Sequence, residues 1–179
     1  SDEIYHALIY SDAKKVSALQ VSPDAFVLNS FSKYFGMTGW RLGWLIAPAS
    51  VAPYLEKMAQ NFFICPSSIS QHAALAAFTP VARDIMEAQR EEFKTRRDFL
   101  LPALRDIGFD VPIEPEGAFY IYAGLPEGFP DSESFTQWLL EEHHVAIAPG
   151  TDFGSHLANR HVRFSYAQPL DRLQLGVER

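Results

Sequence analysis

The sequence predicts an α/β protein, and two observations lead to this prediction. Short apolar runs at residues 25–29 and 42–47 are typical of buried strands, and the segments after them show helical periodicity. Towards the C-terminus the pattern changes again, to short strands separated by helices. Because each group of elements needs its own core, we predict a boundary inside the longest helix that divides the chain into residues 1–85 and 86–179.

Helices dominate the middle of the predicted order. The glycines within residues 35–39 first predict a loop or strained turn, because glycine adopts left-handed backbone conformations at little cost. Apolar residues at helical spacing then predict a helix from residue 49. A second helix is predicted over residues 67–78, with a serine cap at its start, and a long third helix over residues 80–104 that ends near Gly108.

Short strands dominate the part after Gly108. They are rich in β-branched and aromatic side chains, which favour strands. The four predicted strands are residues 109–111, 118–122, 145–148 and 161–165. Two helices fit between and after them, at residues 134–142 and 170–178.

The charge balance argues against a nucleic-acid partner. The chain has 179 residues and a formal net charge of −7, whereas nucleic-acid binders show a basic patch or stripe. One basic cluster, residues 94–97, is flanked by acidic residues, and we interpret it as the solvated face of a helix. No run approaches the roughly 18 apolar residues that a membrane-spanning helix needs, so we predict no membrane partner.

The cysteine and histidine content excludes several kinds of site. Cys65 is the only cysteine, so neither an internal disulfide nor a zinc site built on paired thiolates can form. It lies in an apolar stretch, and we interpret it as a buried packing residue of a protein in the reducing cytoplasm. The six histidines lack metal-ligand spacing, so we predict no metal site.

The segment with the most chemical information is residues 30–44, directly after the first predicted strand. Lys33 lies there between hydroxyl groups and a glycine-rich turn, although lysine normally stays in solvent. A shielded lysine amine close to another cation loses proton affinity and can form an imine with an aldehyde. Arg41 is the candidate cation, and with Ser30 and Ser32 it could bind a phosphate. The alternative is that Lys33 begins a surface loop and Arg41 pairs with a carboxylate.

A close resemblance to the pyridoxal-phosphate attachment signature of class I/II aminotransferases is carried by the string SFSKYFGMTGWRLGW. These enzymes have fold type I and are aspartate aminotransferase-like. The shared features are serine, any residue, serine, lysine, and an arginine eight positions after the lysine. The resemblance implies that Lys33 is the catalytic residue and holds pyridoxal 5'-phosphate as a Schiff base, while Ser30, Ser32 and Arg41 lie around the cofactor phosphate.

Two further segments resemble parts of the same enzymes. In the first, Asp2 would meet the cofactor's pyridine nitrogen and Tyr5 its ring hydroxyl oxygen, although without the family this segment is a commonplace strand end. A carboxylate at that nitrogen keeps it protonated, so that the ring can accept electrons. In the second, Arg163 would bind the α-carboxylate of the substrate as a bidentate pair. The alternative for Arg163 is an ordinary exposed strand arginine.

The resemblance also implies an architecture. Residues 1–85 would be the C-terminal part of the cofactor-binding large domain, with a mixed, mostly parallel sheet and helices, and residues 86–179 a small α/β domain. The first residues include no methionine and no leader composition, so we interpret the chain as one entered partway through, and the resemblance implies that it is a C-terminal half. We expect it to be inactive alone and to associate or unfold, because a sheet without its central strands exposes apolar faces.

The implied function is the transfer of an amino group from an L-amino acid to a 2-oxo acid, by a full-length enzyme that is a homodimer. The partners are then small-molecule substrates. Two alternatives remain open at this point. One is another fold type I pyridoxal-phosphate enzyme, such as a β-elimination lyase, since function depends on the site and not on the fold. The other is a non-catalytic fragment or interaction module.

Overall fold

The computed structural model describes residues 1–11 and 15–179, and it confirms an α/β protein. The chain divides into two compact units, Ser1–Arg90 and Glu91–Arg179. The division falls inside the longest helix, as does the predicted boundary. Assignment of the two parts to a large and a small domain stays a prediction.

The sheet of the first unit is a pair of antiparallel strands. Strand β1 (Val27–Ser30) pairs with β2 (Gly43–Ile46), so that Ser30 lies opposite Gly43. The predicted sheet is mixed and mostly parallel, and this strand pair does not confirm its parallel part. Residues 31–42 between β1 and β2 form turns and the short 3-10 helix Thr38–Trp40, without the α-helix that usually connects parallel neighbours, whereas antiparallel strands need no such crossover. The one parallel pairing among the described residues is a bridge between Asp2 and Leu28.

The predicted burial of the two apolar runs is also wrong in part. Val27 is buried, but Leu28 is 51% exposed and every residue of β2 is exposed. Burial depends on what covers a strand as well as on its composition, and Trp44 of β2, although it contacts the rings of Phe31 and Phe35, is still 37% exposed. The small core of this unit is instead centred on Phe31, Met37 and Ala74.

Three helices follow β2 and agree with the predicted order. They are α1 (Ala52–Phe62), α2 (Ser68–Ala76) and α3 (Pro80–Asp106). The side chain of Ser67 caps α2, as predicted. Gly108 follows α3 with a φ of 99°, the left-handed conformation that commonly ends a helix. Cys65 is exposed between α1 and α2, so its interpretation as a buried residue is wrong.

The second unit contains a three-stranded antiparallel sheet with the order β3-β5-β4. Strand β3 spans Tyr120–Gly124, β4 spans Ala148–Pro149 and β5 spans His161–Ser165. Helices α4 (Ser132–His143) and α5 (Leu170–Glu178) match the predicted ones closely.

Three sequence-based interpretations need correction in the second unit. Of the strand predicted at residues 145–148, only Ala148 belongs to β4. The predicted strand at residues 109–111 is reduced to a single bridge between Asp110 and Gly124. Arg97, assigned to a solvated helix face, is only 8% exposed and forms ion pairs with Asp98 and Glu114. A buried charge needs such partners, and they come partly from beyond the helix.

Candidate active site

Strand β1 is the scaffold of the candidate site. The amide of Glu3 donates a hydrogen bond of 2.9 Å to the carbonyl of Leu28, and the amide of Leu28 donates one of 2.9 Å to the carbonyl of Ser1. These two bonds fix Asp2 beside β1. The Asp2 side chain is exposed, and its Oδ1 accepts a hydrogen bond of 3.2 Å from the amide of Ile4.

Glu3 anchors this N-terminal segment from the inside. Its side chain is buried, and Oε1 accepts hydrogen bonds from the Ser17 hydroxyl at 3.0 Å and the Ala18 amide at 2.8 Å. Burial acts to raise the pKa of Glu3, but the bonds from Ala18 and Ser17 and the neighbouring His6 together hold it below its ordinary value. The carboxylate therefore stays charged and holds the segment that carries Asp2 and Tyr5.

Lys33 and Tyr5 lie together. The Lys33 ammonium nitrogen is 5.6 Å from the centroid of the Tyr5 ring, within the range of a cation–π contact. Both residues are partly buried. The structure thus brings the N-terminal segment and the predicted attachment lysine into one site, and Lys33 does not extend into open solvent as the surface-loop alternative requires.

A series of hydrogen bonds joins the other predicted phosphate ligands. The hydroxyl of Ser30 lies 2.9 Å from that of Ser32. The Thr38 hydroxyl donates to the Ser32 carbonyl at 2.5 Å, and the Arg41 Nη1 donates to the Thr38 carbonyl at 3.1 Å. Thr38 is therefore the residue that connects Arg41 to the two serines, a role that sequence reasoning did not find.

Arg41 has an unusual backbone conformation. Its φ is 52°, in the left-handed region that costs a residue with a Cβ about 1 kcal/mol or more. The side chain is exposed, and no carboxylate within residues 1–11 and 15–179 forms an ion pair with it. The alternative in which Arg41 pairs with a carboxylate is thus not observed in the described chain.

Two contacts hold the turn that carries Lys33 and Arg41. The hydroxyl of Ser70, which is buried in α2, donates to the Trp40 carbonyl at 2.7 Å. At Gly43, a Cβ would lie 2.6 Å from the carbonyl oxygen of Asn29. Only glycine allows the two strands to approach this closely at the base of the turn.

Arg163 belongs to the second unit and lies on β5, opposite Tyr122 of β3 and Ala148 of β4. Its guanidinium carbon is 4.2 Å from the centroid of the Tyr120 ring and 3.9 Å from that of the Phe153 ring. The residue is partly buried. This is not the setting of an ordinary exposed strand arginine.

Six of the seven predicted site residues lie in the first unit, where Lys33 contacts Tyr5, Ser30 contacts Ser32, and Thr38 connects Arg41 to Ser32. The six are Asp2, Tyr5, Ser30, Ser32, Lys33 and Arg41, and Arg163 has its own aromatic surroundings in the second. In the described part of the chain, no group of three histidine, cysteine or acidic residues could hold a metal ion. Nor does any helix there have the length and apolar character needed to cross a membrane.

Comparisons with known proteins identify the family of this chain. The model of the family described as "Aminotransferase class I and II" matches residues 1–178. Valine–pyruvate aminotransferase of Mycobacterium tuberculosis is 43% identical over all of this chain and 46% of its own length. An aspartate aminotransferase of Bacillus subtilis is 38% identical over all of this chain and 47% of its own length. The crystal structure of an aminotransferase from Mycobacterium tuberculosis superposes with a TM-score of 0.94 at 43% identity, over 99% of this chain and 46% of that one.

The chain belongs to the class I and II aminotransferase family, whose members use pyridoxal 5'-phosphate. It spans about half the length of the curated relatives it matches. The relatives are aminotransferases, and neither a lyase nor a non-catalytic module is favoured by them.

Proposed function

We propose that the protein carrying this chain transfers an amino group from an L-amino acid to a 2-oxo acid, with Lys33 as the residue to which pyridoxal phosphate is attached. The observation that carries the proposal is the position of Lys33. Lys33 is partly buried, three residues beyond the strand that pairs with Asp2, and its amine lies 5.6 Å from the centroid of the Tyr5 ring. Lysine normally stays in solvent, and attachment of the cofactor is the reason we propose for the partial burial of Lys33.

The donor set of the first unit fits this cofactor. The hydroxyls of Ser30 and Ser32 and the guanidinium of Arg41 are phosphate ligands by their chemistry, and Thr38 connects them. Asp2 offers an exposed carboxylate for a protonated ring nitrogen, and Tyr5 offers a hydroxyl. Bound pyridoxal phosphate supplies an aldehyde that condenses with amines and a ring that accepts the electrons left when the α-proton departs.

Each proposed residue then has a defined task. The Lys33 amine removes the proton from the α-carbon of the amino acid and returns a proton during the transfer, as general base and acid. Asp2 keeps the ring nitrogen protonated. Arg163 binds the α-carboxylate as a bidentate pair and so orients the α-carbon.

The remaining parts of the proposal concern the whole protein. We infer a homodimer in the cytoplasm with small-molecule partners, without nucleic acid or membrane. The family resemblance supports the dimer. The single cysteine supports the cytoplasm, and the net charge of −7 supports the absence of a nucleic-acid partner. We expect the 179-residue chain by itself to be inactive, because half of a typical relative's length is absent from it.

The test is borohydride reduction of the protein in the presence of pyridoxal phosphate, followed by peptide mass mapping. The expected result is a stable adduct on Lys33, which Lys33→Ala abolishes. Lys57→Ala is the matched control, because Lys57 is an exposed residue of α1 outside the site. An adduct elsewhere would overturn the assignment, and no amino transfer to any 2-oxo acid would overturn the reaction.

A further inference from the structure

We propose that Tyr120 and Phe153 form an aromatic clamp that positions the Arg163 guanidinium for a carboxylate. This inference rests on the proposed function and adds two positioning residues to it. The clamp is defined here as the two rings whose centroids lie 4.2 Å and 3.9 Å from the Arg163 guanidinium carbon. Significant cation–π contacts occur roughly once per 70–80 residues, so two at one arginine are more than chance placement provides.

The clamp restricts how an anion can reach Arg163. A guanidinium is a flat, weakly hydrated group with five N–H donors directed outward in its plane. The two rings contact its guanidinium carbon and limit its rotation. Within residues 1–11 and 15–179, no oxygen accepts a hydrogen bond from this guanidinium and no carboxylate pairs with it. Its donors therefore remain available for a planar, two-oxygen acceptor.

Tyr120 is fixed by the sheet. It is the first residue of β3 and lies opposite Ser165 in the register that also places Tyr122 opposite Arg163. Its ring contacts that of Phe119, with centroids 4.5 Å apart. The Tyr120 ring is thus held from the side of the sheet, independently of any ligand.

Phe153 is fixed by a tight turn. Its amide donates to the Gly150 carbonyl at 2.9 Å, and this closes the 3-10 turn Gly150–Asp152. A Cβ at Gly150 would lie 2.3 Å from the Ala158 carbonyl oxygen and 2.6 Å from that of His161, so only glycine fits. The close approach holds the turn against the start of β5, and with it Phe153 near Arg163.

The test measures carboxylate affinity at Arg163 without relying on turnover. In the protein that carries this chain, phenylglyoxal modification of Arg163 is followed by peptide mass mapping at increasing pyruvate or 2-oxoglutarate. The concentration that gives half-protection reports the affinity. We expect Phe153→Leu and Tyr120→Leu each to weaken it by about 2- to 30-fold, the range of one cation–π contact.

Conservative and remote variants separate positioning from folding. Phe153→Tyr and Tyr120→Phe retain a ring and should restore most of the lost affinity, while Tyr54→Leu, at an exposed ring of α1, should have no effect. A lower thermal midpoint with unchanged half-protection in both leucine variants would overturn the clamp. Absence of protection by either acid in the parent protein would overturn it as well. Protection at Arg163 without a borohydride adduct on Lys33 would sustain the clamp and overturn the proposed function.

Discussion

The Tyr34 hydroxyl, on the residue directly after Lys33, donates a hydrogen bond of 2.5 Å to Oε1 of Glu87. Arg90 extends this contact, because its Nε donates to Oε2 of Glu87 at 2.8 Å and its Nη1 to the Ile9 carbonyl at 2.9 Å. The network ties the turn with Lys33 to α3. It also couples the pKa values of Tyr34 and Glu87 to folding.

The Tyr34–Glu87 bond predicts a pH-dependent stability. Tyr34 lowers the pKa of Glu87 below its ordinary value of 4.5, whereas burial and Glu87 raise the pKa of Tyr34 to about 12. The stabilisation is therefore complete between about pH 4.5 and pH 10. It is lost as pH falls through the lowered pKa of Glu87 or rises through about 12.

We expect Tyr34→Phe to lower the free energy of unfolding by about 1 kcal/mol at pH 7, a modest value because Glu87 is half-exposed. The difference between the two proteins should shrink at about pH 3, below the ordinary pKa of a glutamate. Urea denaturation at both pH values measures it. Tyr54→Phe is the control, since that ring is 70% exposed, and a difference that stays constant between the two pH values would contradict the assignment.

The backbone at Arg41 predicts a conflict between stability and binding. Because its φ is 52°, Arg41→Gly removes strain, and we expect the free energy of unfolding to stay level or rise by about 1 kcal/mol. The affinity for pyridoxal phosphate should nevertheless fall roughly 10- to 100-fold, since a charge-assisted hydrogen bond is lost. Denaturation and an absorbance titration measure the two effects.

Arg41→Lys supplies the comparison for this pair of effects. It keeps both the charge and the strained backbone, so it should show no gain in stability. If Arg41→Gly left the affinity for pyridoxal phosphate unchanged, Arg41 would not be a ligand of the cofactor phosphate.

Gly43 predicts a steric effect on the same turn. A Cβ there would meet the Asn29 carbonyl oxygen at 2.6 Å, and forcing such a contact typically costs about 1–3 kcal/mol. Gly43→Ala should therefore lower the free energy of unfolding by about this amount. Gly39→Ala is the matched control, because nothing lies within 4 Å of the position that a methyl group would take there. Equal effects at the two glycines, measured by urea denaturation, would show that close approach is not the cause.

The sequence-based predictions succeeded where the signal is local. Ser67 caps α2 and Gly108 ends α3 because each acts on neighbouring backbone groups. The segment from Ser30 to Arg41 was predicted as one site for the same reason, since its members lie on one short turn. Their roles remain proposals, but their proximity follows from the chain itself.

Other features depend on contacts between distant residues and left no comparable signal. The clamp at Arg163 depends on the register of β3 with β5 and on the packing of Gly150. No local sequence pattern indicates either of them. The apolar composition of β2 indicated a buried strand, but exposure is set by the elements that cover it.

Among the residues that the structure describes, strand β2 pairs with β1 alone, and this has a consequence for backbone dynamics. A two-stranded sheet is marginally stable by itself, and the residues of β2 are exposed. Strand β5, in contrast, has partners on both sides and contains Val162, which is fully buried. Deuterium should therefore enter the amides of β2 well before those of β5, so that local unfolding begins at the hairpin whose turn carries the lysine.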